Sequence, residues 1–384
     1  IHDENVHLIE EGRFVPVRKS HHTLGICILC ICIASFVIET ELAQFVNKGM
    51  KYHKPYFFLW VAHSCYIIIL PLQLMFRLNP LRYMEEFLNI GIGLISTVKP
   101  TYQAIITTNP TEEDVEYDHP MVVTSITQIL TSKHYRPVMI YIFKISLLFA
   151  IIICTPGYIW YVAVNLTTTA KLTAIYNTSC FWAYVFSIIL LKETIRIEKV
   201  FSVILSITGV MVMSLLIPNE RAHNIEVGDF IACFGALVYG LYEVLYKKLG
   251  SPPTTSFLFA NTITGLIGLC TLLFLWIPIP ILHYLGIEIF ELPDPETFGY
   301  ILSTAIAGVF FNASFMLLIA LTSPLFASVG IMLTIPVVAL VDWLITNTPI
   351  GVNTIIGNLC ILLAFILLIW TNIKDKIRYI FLKK

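Results

Sequence analysis

The sequence predicts an all-α polytopic membrane protein: ten transmembrane helices in a 5+5 inverted repeat. Three observations predict it. Of 384 residues, 57% are hydrophobic and only 13% are charged, with a mean hydropathy of +0.81; soluble domains are about a quarter charged. A soluble globule must cover itself with polar groups, so a soluble enzyme and a disordered chain are excluded. Lys+Arg 24 against Asp+Glu 25 leaves a net charge of -1, which offers no basic face to nucleic acid. The partner implied by composition is the lipid bilayer. The second observation is a series of apolar stretches of bilayer-spanning length, and the third is an echo between the two halves of the chain.

Spanning the hydrocarbon core takes about 20 apolar residues per helix. Ten stretches meet this: 23 to 46, 56 to 77, 138 to 164, 167 to 191, 196 to 217, 228 to 247, 256 to 278, 298 to 321, 324 to 346 and 352 to 372. With both termini cytosolic, 18 Lys and Arg residues fall on the cytosolic side and five opposite, with Lys144 inside a span; cytosolic loops carry such an excess. The domain division follows: a cytosolic tail (1–22), a first five-helix repeat (23–217) containing a cytosolic loop (78–137), a second repeat (218–373) and a basic cytosolic tail (374–384). Within the loop, residues 100 to 120 are acidic and Pro-interrupted, with little to bury, and are expected to be disordered. Leu81, Met84, Phe87 and Leu88 are spaced for one helical face that could lie in the membrane interface. Because the first residue is Ile1 rather than Met, a trimmed or processed N-terminus is expected.

The span-four region LTTTAKLTAIYNTSCFWAYVFSIILLKETI and the span-nine region LTSPLFASVGIMLTIPVVALVDWLITNTPI register at a shift of about 155 residues. Five spans per copy is an odd number, so the second copy inserts upside down. Inverted repeats of this kind mark secondary transporters, with the site near the midplane where the halves meet.

Several segments carry a family resemblance. Glu41-Leu-Ala-Gln44 followed by KPYFF, IWYVAVNLTTTAKLTA leading into span four, the loop ILHYLGIEIFELP from Ile281 to Pro293, and LLIALTSPLFASVGIMLTIPVVALVDW resemble the F subfamily of solute carrier family 35 and its fungal, EamA-like relatives in the drug/metabolite transporter superfamily. The resemblance implies a ten-helix transporter of an endomembrane, the vacuolar membrane first and the Golgi or endoplasmic reticulum next. Some relatives are linked to thiamine or modified nucleobases, wider ones to nucleotide sugars. Two departures stand out. Asn312 to Met316 replaces the Ser-Asp-Tyr-Leu-Trp run of such relatives, and Glu243 stands where a small hydroxyl residue is expected.

An ionisable group inside a span costs on the order of 3 kcal/mol and usually faces the bundle interior. The candidates are Glu39, Glu41, Lys144, Lys171, Glu243 and Asp342, with His63 as a midspan titratable group. Glu39 and Glu41, two residues apart, point about 200° away from each other on a helix; Glu41 shares its face with Gln44 and is the first choice for the site, against a structural ion pair with Lys171. Lys144 can snorkel. Glu243 and Lys247 have the spacing of an i,i+4 salt bridge. Among polar and aromatic groups, Tyr176, Asn177, Tyr239 and Asn312 complete the expected substrate-binding set with Glu41, Gln44, Lys171 and Asp342. Glu39, His63 and Pro336 are the expected gating or coupling residues, although His63 could equally be a bonded core histidine and Pro336 a static kink.

The nine cysteines sit in apolar runs and suggest neither a metal site nor a cofactor. Three Asn-x-Ser/Thr matches, at Asn165, Asn177 and Asn312, fall in or against spans and are expected to be unused. No phosphate-binding Gly-rich loop with a following Lys-Ser/Thr is present, so ATP is not the direct driver. The expectation is a non-enzymatic secondary transporter of a small cationic or zwitterionic solute, thiamine-like or nucleoside-like, working by alternating access with possible proton coupling. A nucleotide-sugar or organophosphate antiporter is the alternative, and a non-transporting sensor or scaffold is the alternative of another class. The oligomer expected is a monomer or homodimer.

Overall fold

In hydrocarbon no water is available to backbone N–H and C=O groups, so a spanning chain satisfies them internally, as helices. The computed structural model describes residues 7–10, 13–16, 22–76, 79–98, 131–132, 134–164, 166, 169–215, 227–253, 256–337, 340 and 351–382. The acidic stretch 100 to 120 and Asp342 lie outside the described residues. Two short strands in the N-terminal tail, β1 (His7–Glu10) and β2 (Arg13–Pro16), pair antiparallel with Leu8 opposite Val15. All-α therefore holds for the membrane-embedded part and not for the tail.

The helices are α1 (His22–Gln44), continued by a π-helical turn at Phe45–Gly49; α2 (Pro55–Ser64), joined by a 3-10 turn at Cys65–Ile68 to α3 (Ile69–Phe76); α4 (Pro80–Val98); α5 (Arg136–Val164); α6 (Thr169–Tyr176); α7 (Ser179–Leu191); α8 (Ile197–Leu215); α9 (Val227–Leu245), continued by a π-helical turn at Tyr246–Gly250; α10 (Phe257–Phe274); α11 (Pro278–Tyr284); α12 (Pro295–Leu321); α13 (Pro324–Ile331); and α14 (Val352–Leu382). Eight described segments are long and apolar enough to cross a membrane: Leu24–Ala43, Pro55–Met75, Arg136–Trp160, Ala174–Leu191, Val227–Gly250, Phe257–Phe274, Pro295–Leu321 and Val352–Thr371. The fifth and ninth expected spans coincide with α8 and with a shorter apolar stretch, Pro324–Val337. The outer surface carries Ile189, Phe201, Phe230, Leu363 and Trp370, all exposed, as suits a protein whose solvent there is lipid.

Helix ends are fixed by local chemistry. Asp294 caps α12: its Oδ2 accepts from Thr297 N at 3.0 Å and its Oδ1 from the Thr297 hydroxyl at 2.6 Å, with Pro295 pre-set at the first helical position. Ser256 caps α10 and Ser323 caps α13 in the same way. The free N–H groups of α2 are taken by a distant residue, Glu288, whose two carboxylate oxygens accept from Tyr56 N and Phe57 N at 2.9 and 3.1 Å. Around this cap Lys54 pairs with Glu291 at 3.3 Å and Phe57 meets Phe290 at 5.3 Å. The segment from Ile281 to Pro293 is thereby strapped across the start of α2. Burial, and then the Glu288 and Glu291 carboxylates, push the Tyr52 phenol up to about 12, so it remains a donor, to Glu291 O at 2.8 Å.

Two expectations change. Glu243 and Lys247 do not form a salt bridge. Lys247 instead donates to the carbonyls of Ile319, Ala320 and Thr322 at 2.7, 2.8 and 3.0 Å, because the last turn of α12 presents unpaired carbonyls and a negative dipole end that attract an ammonium. The helix holding Leu81, Met84, Phe87 and Leu88 is not a free interfacial helix. Its apolar face packs on α5 and α10, with Phe87 stacked on Phe259 at 5.0 Å. Lys144 is exposed, consistent with snorkelling.

Lys247→Met leaves three helix-end carbonyls without this ammonium and is expected to cost about 1.5–3 kcal/mol, read as a lower midpoint of thermal unfolding in detergent. The Asp294 carboxyl is held below the usual carboxylate range by hydrogen bonds from Thr297. Its capping contribution is complete above that range and is lost as pH falls through the lowered value. The difference in thermal midpoint between wild type and Asp294→Asn is therefore expected to be full at neutral pH and to vanish in strong acid.

Candidate functional site

Ile28, Cys32 and Phe36 recur at the spacing of one helical face, and Glu39 continues that face three residues on. Ile28 and Cys32 are buried and Phe36 packs against the core. The face is seated on α12, the main partner of α1. The Glu39 carboxylate lies over Gly308: a Cβ built on that glycine would meet Glu39 Oε1 at 2.8 Å. A larger residue there would displace the carboxylate from this position. One turn along α12, Asn312 donates from Nδ2 to the Tyr66 hydroxyl and to Gly308 O. Ser314 donates to Phe310 O and Phe311 O at 2.7 and 2.9 Å, in the neighbourhood of Cys32.

Rings close around these polar groups. Phe36 meets Phe311 at 4.9 Å, Phe311 stacks on Phe315 at 5.6 Å, and Phe315 stacks on Tyr239 at 6.3 Å with 14° between planes. Tyr242 donates to Met316 Sδ at 3.1 Å. His63 Nδ1 lies 3.1 Å from Cys154 Sγ, and its ring is 5.1 Å from that of Tyr66. On the far side of Tyr239, Glu243 is completely buried and accepts a hydrogen bond from Ser328 of α13. Tyr239 interacts electrostatically with both Glu243 and Glu39. The cluster thus draws on α1, α2 and its 3-10 turn, α5, α9, α12 and α13, and its side chains pack directly on one another.

Two helices are broken beside this cluster. α6 stops at Tyr176 and α7 resumes at Ser179, across a turn at Asn177 and Thr178. α13 stops at Ile331, and helix resumes at Thr334 after a turn at Met332 and Leu333. Pro336 explains the second break, since it has no N–H for the carbonyl four residues earlier and its ring crowds that carbonyl, which belongs to Met332. Tyr176 occupies the first break, donating to Pro156 O at 2.7 Å, with its ring against Gly235 of α9, one turn before Tyr239.

Of the residues expected from sequence, the structure brings together Glu39, His63, Tyr239 and Asn312, with Tyr176 and Asn177 at the neighbouring break and Pro336 one turn beyond the other. Glu41 is exposed; it points away from Glu39, as the two-residue spacing demands. The side chains of Gln44 and Lys171 lie outside the described residues. Sequence reasoning missed Tyr66, whose surroundings CYIIIL give no signal, and assigned Glu243 to a surface-type pair. The signal that could have chosen Glu39 was present: it is in register with Ile28, Cys32 and Phe36. A separate groove of about 220 Å³ lies between α4, α5 and α10, lined by Phe87, Met139, Ser146 and Cys270 among others, away from the acidic groups.

Asn312→Leu removes the donor to Tyr66 and is expected to lower stability by about 1–3 kcal/mol, the cost of leaving a buried polar group unsatisfied. Thermal unfolding in detergent checks it.

Residues 226–370 match the EamA-like transporter family. Along most of its length the chain is similar to an uncharacterized vacuolar membrane protein of Saccharomyces cerevisiae, 23% identical over 363 residues, covering 90% of each chain. It is also similar to a thiamine-repressible mitochondrial transport protein of that yeast, 23% identical over 351 residues, covering 90% of this chain and 91% of that one. Solute carrier family 35 member F5 of Macaca fascicularis is 30% identical over 151 residues, 39% of this chain and 34% of that one. A solved crystal structure aligns with a TM-score of 0.53 at 12% identity, covering 90% of this chain and 96% of that chain, a likeness of fold alone. The resemblance drawn from the motifs is borne out.

Proposed function

We propose, for a chain that carries an EamA-like transporter domain and matches the drug/metabolite transporter superfamily, that it moves a small organic cation or zwitterion, thiamine-like or nucleoside-like, across an endomembrane by alternating access. That it is a membrane transporter of the EamA and solute carrier 35 type is the premise; the solute, the mechanism and the 5+5 architecture are this reading. One observation carries it. The breaks at Asn177–Thr178 and Met332–Leu333 coincide at the shift of about 155 residues that registers the two copies, and discontinuous helices at corresponding positions mark transporter sites.

The packing supports the same symmetry. Exchanging the first five spans for the last five turns the contact of α1 with α12 into that of α9 with α5. It likewise turns α2 with α12 into α10 with α5, and maps α8 with α14, α2 with α10 and α7 with α13 onto themselves; every one of these pairs is in contact. The aromatic faces of Phe36, Tyr66, Tyr239 and Phe315 suit a flat or cationic solute, and Glu39 and Asn312 supply charge and hydrogen bonds for it. Tyr176 and Asn177 belong to the same proposed site through the break they flank. Rocking of one half against the other would open the packed cluster to each side in turn, with the turn before Pro336 as a hinge. The vacuolar membrane is proposed as the address by similarity to a relative named for it.

Proteoliposomes preloaded with unlabelled thiamine, choline or a nucleoside are expected to accumulate the labelled counterpart by exchange. If no such solute moves and none shifts the thermal midpoint, a sensor or scaffold replaces the transport reading; if only a nucleotide sugar moves, the antiporter replaces the cationic solute. Pro336→Ala is expected to slow exchange severalfold with near-normal binding, measured as rate against half-saturation. Equal rates would make the break static.

A further inference from the structure

Two carboxylates lie in the interior without a basic partner among the described residues. Glu39 Oε2 and Glu243 Oε1 are buried and make no hydrogen bond there. The cation nearest Glu243 in sequence, Lys247, is committed to the carbonyls at the end of α12. The two acids are related through the fold. α1 and α9 both end in π-helical turns, FVNKG and YKKLG, and counted back from those turns Glu39 and Glu243 differ by about one helical turn. In an inverted pair, that sets them on opposite sides of the midplane.

Among the described residues the surroundings of each acid are uncharged. The Glu39 carboxylate lies against Gly308 of α12 and is within electrostatic reach of Cys32 of its own helix, Tyr66 of the 3-10 turn and Tyr239 of α9. Glu243 accepts from Ser328 of α13 and is within electrostatic reach of Tyr239 and Tyr242 of its own helix and Cys180 of α7. His63 is engaged by Cys154 and by the face of Tyr66. An ionised carboxylate left alone in such a setting is strongly unfavourable, so with only these described neighbours each acid holds either a proton or a cation brought from outside. Neither has a second carboxylate beside it among these neighbours, which suits a monovalent charge.

Resting on the transport reading, we propose that Glu39 and Glu243 are paired acceptors of one monovalent positive charge, a proton or an organic ammonium, one serving each half of the membrane. Each empty acceptor is a neutral carboxylic acid. An arriving ammonium forms an ion pair with the carboxylate, the O–H bond breaks, and the proton leaves to water on the side then open. The second acceptor repeats the step after the halves rock. The cycle is thus an exchange of proton for cation, and both acids are required.

The test uses the full chain in liposomes, with infrared difference spectra that follow the protonated carboxyl stretch as buffer pH is changed and as tetraethylammonium is added. Two carboxyl bands are expected, one missing in Glu39→Gln and the other in Glu243→Gln, with both retained in Glu296→Gln on the exposed surface. Saturating tetraethylammonium is expected to weaken both bands and release about one proton per cation bound. A pH-sensitive dye inside the liposomes should then report proton movement opposite to tetraethylammonium flux, reduced at least about tenfold in either Gln variant.

Where a Gln variant does not fold, the Asp variant at that position is read instead, and a shifted band identifies the group. Carboxyl bands unaffected by both variants, or flux and proton release unchanged by them, overturn the inference while leaving transport standing. Bands that behave as expected with no flux of any solute support the acceptors and sink the transport reading.

Discussion

The constraint behind this structure is that an unpaired polar group is costly where there is no water. It makes the chain helical, because a helix alone satisfies its own backbone, and it sets a cost on every departure from a helix. The turns at Asn177–Thr178 and Met332–Leu333 are departures of that kind. Each is tolerated because freed backbone groups find local partners: Thr178 N reaches Ile175 O at 3.0 Å and Ile335 N reaches Met332 O at 3.1 Å. Breaks at such a cost, in the two regions where the halves echo, are what the proposed site is built around.

The same constraint governs the acids. Lys54 with Glu291, Lys199 with Glu193 and Lys374 with Glu198 are ordinary pairs outside the central cluster. Glu39 and Glu243 are not of this kind: their neighbours are hydroxyls, thiols and rings. The resemblance implies an acid at the place of Ala313 in α12 and a small hydroxyl residue at that of Glu243 in α9, so this chain carries its acid on a different helix.

Contacts between the ends of the bundle tie the proposed halves together. Glu288 caps a helix of the first half from a loop of the second, while within the second half Lys247 caps α12 from α9. Small residues allow the closest approach where α8 meets α14: a Cβ on Gly209 would meet Gly357 O at 2.7 Å, the kind of contact that holds helices together in lipid, where burial of apolar surface gives little drive.

The helical membrane class and the positions of eight apolar spans were legible in the sequence, because hydropathy acts locally along the chain and hydrocarbon leaves helices almost no competitor. The i,i+4 logic of Glu243 with Lys247 was read from one helix at a time and failed because a neighbouring helix offered three carbonyls. The choice between Glu39 and Glu41 needed to know which face of α1 meets α12, and Tyr66 needed to know that a 3-10 turn aims it at Asn312. Those are facts of packing between residues hundreds of positions apart in the chain, and only the folded bundle decides them.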